Sequence, residues 1–137
     1  MRGALCLLSA ALVVACGRPS VQATNRGELQ LSIDGGALAQ EVAYDFGLVT
    51  LGQTRTVVVT ATNVGLDTLT LTRLTLEGSD TGAFFVKGEL GDVVPEASTT
   101  ATVTFAPARA GSQSTRLIFE HDADSPRPAA NLSGSGQ

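Results

Sequence analysis

The sequence predicts an all-β protein, an antiparallel β-sandwich of seven or eight short strands. The part that follows Cys16 contains all 16 threonines and many valines, and both residue types favour strands over helices. Short runs in this part alternate apolar and polar residues, and Gly, Pro, Asn or Asp separates one run from the next. No stretch has a convincing helical period. The spacing of the runs is typical of a sandwich of immunoglobulin type.

The composition also limits the function classes. The 137 − 16 = 121 residues after Cys16 are enough for one domain with a core of modest size, which excludes a multidomain enzyme. A chain with one lysine and a net charge of −4 lacks a basic face, so no nucleic acid is expected as a partner. Internal repeats are absent, which predicts a single domain rather than an array.

Eight runs supply the predicted strands. They are Glu28 to Asp34, Val42 to Phe46, Arg55 to Asn63, Thr68 to Leu76, Phe84 to Val86, Thr99 to Phe105, Thr115 to Glu120 and Ala129 to Leu132. The first run alternates strictly, with Leu29, Leu31 and Ile33 on one face, and two glycines end it. The second run ends with Phe46, which we expect to be a core residue next to a turn.

The third run is also a regular alternation. Val57, Val59 and Ala61 are expected to face the core, and the turn residues Asn63-Val64-Gly65 close the strand. The opposite face of this strand and of the sixth is rich in threonine: Thr56, Thr60, Thr62, Thr100, Thr102 and Thr104. These rows could form a flat ligand-binding face, but an ordinary solvated sheet face is the expectation.

The fourth run changes parity. Leu69 and Leu71 share one face, whereas Leu74 and Leu76 would fall on the other. A strand that keeps one core face then needs a bulge at Thr72-Arg73, or it must change sheet.

The last four runs are shorter. The fifth lies between two glycines, and the sixth ends at Pro107, which cannot donate a hydrogen bond to a strand ladder. The seventh offers Leu117 and Phe119 to the core, and the eighth is followed by Gly134 and Gly136.

The first 16 residues have a different composition from the rest, with 13 apolar residues against 46 of 121 afterwards. Arg2 supplies a positive start, and the uncharged run from Gly3 to Ala15 is too short to span a membrane. This pattern predicts that residues 1–15 are an export signal peptide rather than part of the fold.

The end of this run is more specific. Val13-Val14-Ala15-Cys16 resembles the lipobox of bacterial lipoproteins. The resemblance implies cleavage before Cys16, lipid on its sulfur and acylation of its new amino group, and several acyl chains anchor a protein stably. Gly17 follows instead of Asp, which implies the outer membrane. Residues 16–27 are then the lipidated cysteine and a polar tether, and residues 28–137 are the sandwich. Because Cys6 lies in the leader, no disulfide is expected.

The mature chain resembles a known domain family. The residues that carry the likeness are Asp45-Phe46-Gly47, Asn63-Val64-Gly65, Leu76-Glu77-Gly78, Val103-Thr104-Phe105-Ala106-Pro107 and Leu132-Ser133-Gly134-Ser135-Gly136. This set resembles the ASH (ASPM, SPD-2, hydin) domain over residues 42–136, which is related to major sperm protein and similar to the bacterial choice-of-anchor D domain. The resemblance implies an immunoglobulin-like sandwich that serves as a structural or binding module. It implies no catalytic residues.

The chain offers few groups for chemistry. His121 is the only histidine, and we expect it in a solvated loop between the last two strands. Asp122 and Asp124 are weak candidates for a calcium site, because the Gly and distant Glu of an EF-hand loop are missing. A lone His in a loop argues against a Ser-His-Asp triad, and Gly134-Ser135-Gly136 precedes no helix that could bind phosphate. Catalytic residues, cofactors and a small-molecule substrate are therefore not expected.

These patterns favour a lipid-anchored, non-catalytic structural or protein-binding module of the bacterial cell envelope. Its expected partners are the membrane, through lipid on Cys16, and an unidentified envelope protein. The alternative is a periplasmic chaperone or assembly factor that works by strand addition, for which the sequence shows neither an apolar edge strand nor a basic anchor. A calcium-binding surface domain is less favoured, and an enzyme least of all.

Overall fold

The computed structural model describes residues 25–137. The predicted signal peptide, Cys16 and most of the tether lie outside these residues. Nine strands occupy the described part of the chain, together with one turn of 3₁₀ helix at Thr81–Ala83. The strands are β1 Leu29–Ile33, β2 Glu41–Val49, β3 Arg55–Asn63, β4 Leu69–Glu77, β5 Phe84–Gly88, β6 Gly91–Val93, β7 Ser98–Phe105, β8 Gly111–His121 and β9 Ala129–Gly136. None of the described residues forms a helix long and apolar enough to cross a membrane.

The strands form the two sheets of a sandwich. One sheet has the order β1-β3-β7-β5 and the other has the order β2-β9-β8-β4-β6. The predicted all-β sandwich is thus confirmed, with two differences in detail. The strand β6 adds to the expected seven or eight, because its three residues are too few to show an alternation. In addition β2 and β9 pair in parallel, since no hairpin joins these two strands and forces them to run in opposite directions.

The core follows the alternation in the sequence. Val57, Val59 and Ala61 of β3 are buried, as predicted. In β7, Val103 and Ala101 lie opposite Val57 and Val59, and both are buried. Because neighbouring strands place opposite residues on the same face, two alternating runs in register make one continuous apolar surface.

The predicted bulge in β4 is present. Leu71 pairs with His121 and Arg73 pairs with Glu120, so the register shifts at Thr72. The hydroxyl of Thr72 donates a hydrogen bond to the carbonyl oxygen of Glu120 across the bulge. The extra residue returns Leu74 to a half-buried position against the core.

Aromatic side chains fill one half of the core. The Phe84 and Phe105 rings stack with centroids 4.9 Å apart, and Phe46 lies 5.4 Å from Phe105. A Cβ atom on Gly134 would overlap the Phe105 ring, so only glycine leaves room for the ring at this position. Phe46 is therefore a core residue, as predicted, and Gly47 beside it adopts a positive φ of 77°.

The two ends of the sandwich differ in what they connect. We call the end of the sandwich at which Asn25 lies the N-terminal pole; it comprises residues 25–28, 63–68, 94–97 and 122–128. We call the opposite end the far pole; it comprises residues 50–54, 78–83 and 106–110.

Candidate functional site

The loop after β8 differs from its expected form. His121 is not in a solvated loop: it is the last residue of β8 and only 3% of it is exposed. The reason is strand periodicity, which places residue 121 on the same inward face as Leu117 and Phe119. The same alternation is present in the sequence. The predicted strand nevertheless ends one residue too early, at Glu120, because the acidic residues around His121 are typical of a loop.

Both ring nitrogens of His121 contact the main chain of its own loop. Nδ1 accepts a hydrogen bond from the Ala123 N–H, at 3.1 Å, and Nε2 lies 3.3 Å from the Pro126 carbonyl oxygen. A neutral ring protonated at Nε2 satisfies both contacts, whereas a doubly protonated ring would point an N–H at the Ala123 N–H. Burial lowers the pKa of His121 and Arg127 acts in the same direction, whereas the Pro126 hydrogen bond and Asp122 oppose them. The lowered pKa favours the neutral ring, and its two main-chain contacts fix the loop that follows β8.

The two weak calcium candidates bond to separate segments of the chain, one to β4 and the other to the start of the N-terminal pole. The Asp122 carboxylate accepts a hydrogen bond from the Thr70 N–H, and the Asp124 carboxylate accepts one from the Asn25 N–H. Across residues 25–137 no three His, Cys, Asp or Glu side chains gather around one point as a metal site requires. The structure therefore gives both aspartates a role in joining loops, and a calcium site remains a prediction.

The threonine rows lie on the outer face of the four-stranded sheet. Thr56 pairs with Thr104 and Thr60 pairs with Thr100, so the hydroxyl groups form a cross-strand ladder. The Thr56 and Thr104 hydroxyl oxygens are 3.3 Å apart. Lys87, the single lysine, lies in register with Thr102 at one side of this face.

The edge strand β5 is a feature that the sequence did not reveal. In the described part of the chain only β7 pairs with β5, which leaves its other edge free. Phe85 on this strand is 58% exposed, and Val86 is half-buried. Beside this edge an open cleft of about 370 Å³ runs between the two sheets, and its apolar lining comes from Leu74, Val86 and Leu90. The run Phe84 to Val86 is too short for the sequence to show that this strand lies at the edge of a sheet.

Comparison with known proteins identifies the domain family. The model of the HYDIN/CFA65/VesB-like Ig-like domain family matches residues 39–135, more than half of the chain. The chain belongs to this family. Among curated protein sequences none matches it.

The HYDIN/CFA65/VesB-like fold recurs in solved structures. A protein of unknown function from Porphyromonas gingivalis W83 superposes with a TM-score of 0.64 at 17% identity, over 89% of this chain and 52% of that one. The ASH/PapD-like domain 7 of human CEP192 has a TM-score of 0.56 at 15% identity and 96% of each chain covered. The Vibrio cholerae VesB protease has a TM-score of 0.54 at 19% identity, over 77% of this chain and 32% of that one.

These similarities confirm an ASH-type, immunoglobulin-like domain. This chain spans about half of the Porphyromonas gingivalis protein and about a third of VesB. At such identities the likeness extends to the fold alone. The family match begins at residue 39, so β1 precedes it in the sequence. β1 forms one edge of the four-stranded sheet, where it pairs with β3.

Proposed function

We propose that this protein is a lipid-anchored, non-catalytic binding module of the bacterial cell envelope, attached to the outer membrane through Cys16. The observation that carries the proposal is the lipobox sequence Val13-Val14-Ala15-Cys16 at the end of an apolar run. It is supported by the position of Asn25, which lies at the N-terminal pole outside the apolar core and donates its N–H to the Asp124 carboxylate there.

The absence of catalysis is supported by the surroundings of His121. Its two ring nitrogens contact the main chain, and its position is buried. A general base must reach a substrate proton with a free nitrogen, and this ring has none among its described contacts. The fold itself, an immunoglobulin-like sandwich, is suited to presenting surfaces rather than to enclosing a substrate.

The anchor is tested with two cysteine variants. In cells fed an alkyne fatty acid, Cys16→Ser should abolish labelling of the protein and leave its precursor unprocessed. Cys6→Ser is the matched control, because this cysteine lies in the predicted leader, and its labelling should equal that of the wild type. Labelling that persists in Cys16→Ser would exclude the anchor.

A second candidate is an assembly factor that binds partners by strand addition, and the free edge of β5 favours it. An added strand would pair with the main chain of β5 and place alternate side chains in the cleft beside Val86 and Leu90. Titration with an extended peptide of alternating Val and Ser tests this. Amide exchange should slow within Phe84–Gly88 alone, and Phe85→Ser should weaken the effect. No protection in β5 would argue against this function.

A further inference from the structure

The N-terminal pole carries exposed apolar side chains on two adjacent loops. Leu66 is 70% exposed, Val94 is 52% exposed and Val64 is 41% exposed. Leu66 and Val64 lie on the β3–β4 loop, and Val94 lies on the β6–β7 loop. Exposing large apolar side chains to water costs free energy, so three of them on loop tips at one end call for an explanation.

A buried amide holds the two loops side by side. The side chain of Asn63 is fully buried, and its Nδ2 donates hydrogen bonds of 2.8 Å to the carbonyl oxygens of Asp67 and Val93. Its Oδ1 accepts from the N–H groups of Gly65, at 2.9 Å, and of Glu28, at 3.1 Å. The same side chain thus ties both apolar loops to the segment at which the described chain begins.

That first segment lies directly against Leu66. The Leu66 N–H donates to the Arg26 carbonyl oxygen at 3.1 Å, and the Arg26 N–H donates to the Asp67 carboxylate at 2.9 Å. A Cβ atom on Gly65 would overlap the Arg26 carbonyl oxygen, so glycine is required where the segment crosses the loop. Arg26, ten residues after Cys16 in the sequence, therefore lies beside Leu66, the most exposed leucine of the described residues.

The tether length brings this pole to the membrane. Eight residues separate Cys16 from Asn25, and a fully extended segment of this length spans at most about 28 Å. A flexible one averages roughly 16 Å between its ends. With the acyl chains of Cys16 in the bilayer, the N-terminal pole is the end of the domain that stays within one tether length of the lipid. The strand β3 alone adds about 30 Å before the far pole.

We propose that the loops bearing Val64, Leu66 and Val94 dock on the surface of a zwitterionic phospholipid bilayer and hold the domain upright on the membrane. This inference rests on the proposed lipid anchor at Cys16. The charges at this pole indicate a zwitterionic rather than an anionic lipid, because its two arginines are outnumbered by five carboxylates: Arg26 and Arg127 against Glu28, Asp67, Glu96, Asp122 and Asp124. Arg26 is also paired with Asp67. No lysine is available here for anionic headgroups, since the single lysine is Lys87 on β5.

The predicted mature chain offers a direct test, because its one cysteine would be blocked by lipid. Leu66→Cys and Leu51→Cys each introduce a single free thiol for an environment-sensitive fluorophore. Leu51 is the matched control: it is 45% exposed and lies on the far pole. The lipidated full-length variants are reconstituted into phosphatidylcholine and phosphatidylethanolamine vesicles that contain a lipid-bound quencher.

The expected result is a blue-shifted emission that the lipid quencher reduces for Leu66→Cys, with water-like emission for Leu51→Cys. Val94→Cys should behave like Leu66→Cys. Adding a Leu66→Ser change to the Val94→Cys protein should weaken docking of the loops about tenfold. High salt should leave the signal unchanged, because the contact is apolar.

Two results would overturn the inference while leaving the anchor intact: water-like emission from Leu66→Cys in vesicle-bound protein, or equal quenching at both poles. Failure of the anchor itself gives a different result: the protein neither incorporates the fatty-acid probe nor associates with the vesicles. That result would overturn both proposals.

Discussion

Two buried side-chain amides organise the two poles of this sandwich, and they act over different lengths of chain. Asn63 at the N-terminal pole bonds to Glu28 and Val93, which are 35 and 30 residues away, as well as to its own loop. Gln113, on β8 beside the far pole, accepts from the Ala108 N–H and donates to the Arg109 and Gly111 carbonyls, all within five residues. The same functional group therefore joins three segments that are distant in sequence at one end, and at the other it shapes the single loop that connects β7 to β8 between the two sheets.

The difference shows why the N-terminal pole needs a polar side chain. Segments that meet at the end of a sandwich bring main-chain N–H and C=O groups that no neighbouring strand can satisfy. One buried amide with two donors and a two-fold acceptor satisfies four of them at once. At the far pole stacked aromatic rings already fill the core, so Gln113 has only its own loop to complete.

The largest effect is expected for Asn63→Leu. This change keeps the branched shape of the side chain but leaves two N–H groups and two carbonyl oxygens without their amide partner, and we expect the free energy of unfolding to fall by roughly 3 kcal/mol. Chemical denaturation measures the loss. Hydrogen exchange should quicken at Glu28 and Gly65, whose N–H groups lose their acceptor. Unchanged exchange at Glu28 would show that Asn63 does not join this segment to the pole.

A smaller effect is expected for Gln113→Leu. The hydrogen bonds that this change removes all lie within one loop that can relax toward water, so we expect a decrease of about 1–2 kcal/mol in the free energy of unfolding. Exchange should quicken near Ala108 and remain normal at Glu28. This variant is the matched control for Asn63→Leu, and equal losses in the two variants would contradict the importance of long-range connections.

A still smaller effect is a dependence on pH that arises from His121, at the end of β8 beside the N-terminal pole. Because burial lowers the pKa of His121 in the folded state below its usual 6.5, the unfolded chain binds more protons between the two pKa values. Stability is therefore complete above about pH 6.5 and decreases as the pH falls through the folded pKa. Denaturation curves of wild type and His121→Gln at pH 7.5 and pH 5 measure this. The wild type should lose more stability, and parallel losses would assign the acid sensitivity to other groups.

Acid sensitivity at lower pH has a separate source on the sheet surface. The hydrogen bond and charge of Arg116 lower the pKa of Glu41, an exposed residue on β2. Stability from this pair is present above the usual pKa of Glu41 and is lost as the pH falls through the lowered value. Its window lies below that of His121, so the two contributions can be separated by titration.

The sequence alone determined most of the strands and their inward faces. Alternation is a local property, and it correctly placed Val57, Val59 and Phe105 in the core and located the bulge at Thr72. Composition and motif also indicated the family that residues 39–135 confirm. The predicted lipid site at Cys16 follows from sequence as well, because a peptidase and a lipid transferase read a short linear motif.

Only the tertiary structure decided which strands lie at an edge and which polar residues are buried. The parallel pairing of β2 with β9, the free edge of β5 and the long-range hydrogen bonds of Asn63 all join residues far apart in sequence. A local pattern carries no information about such partners, because pairing depends on how the whole chain closes around its core. For the same reason, only the fold shows that Leu66 and Val94 share the pole at which Asn25 lies.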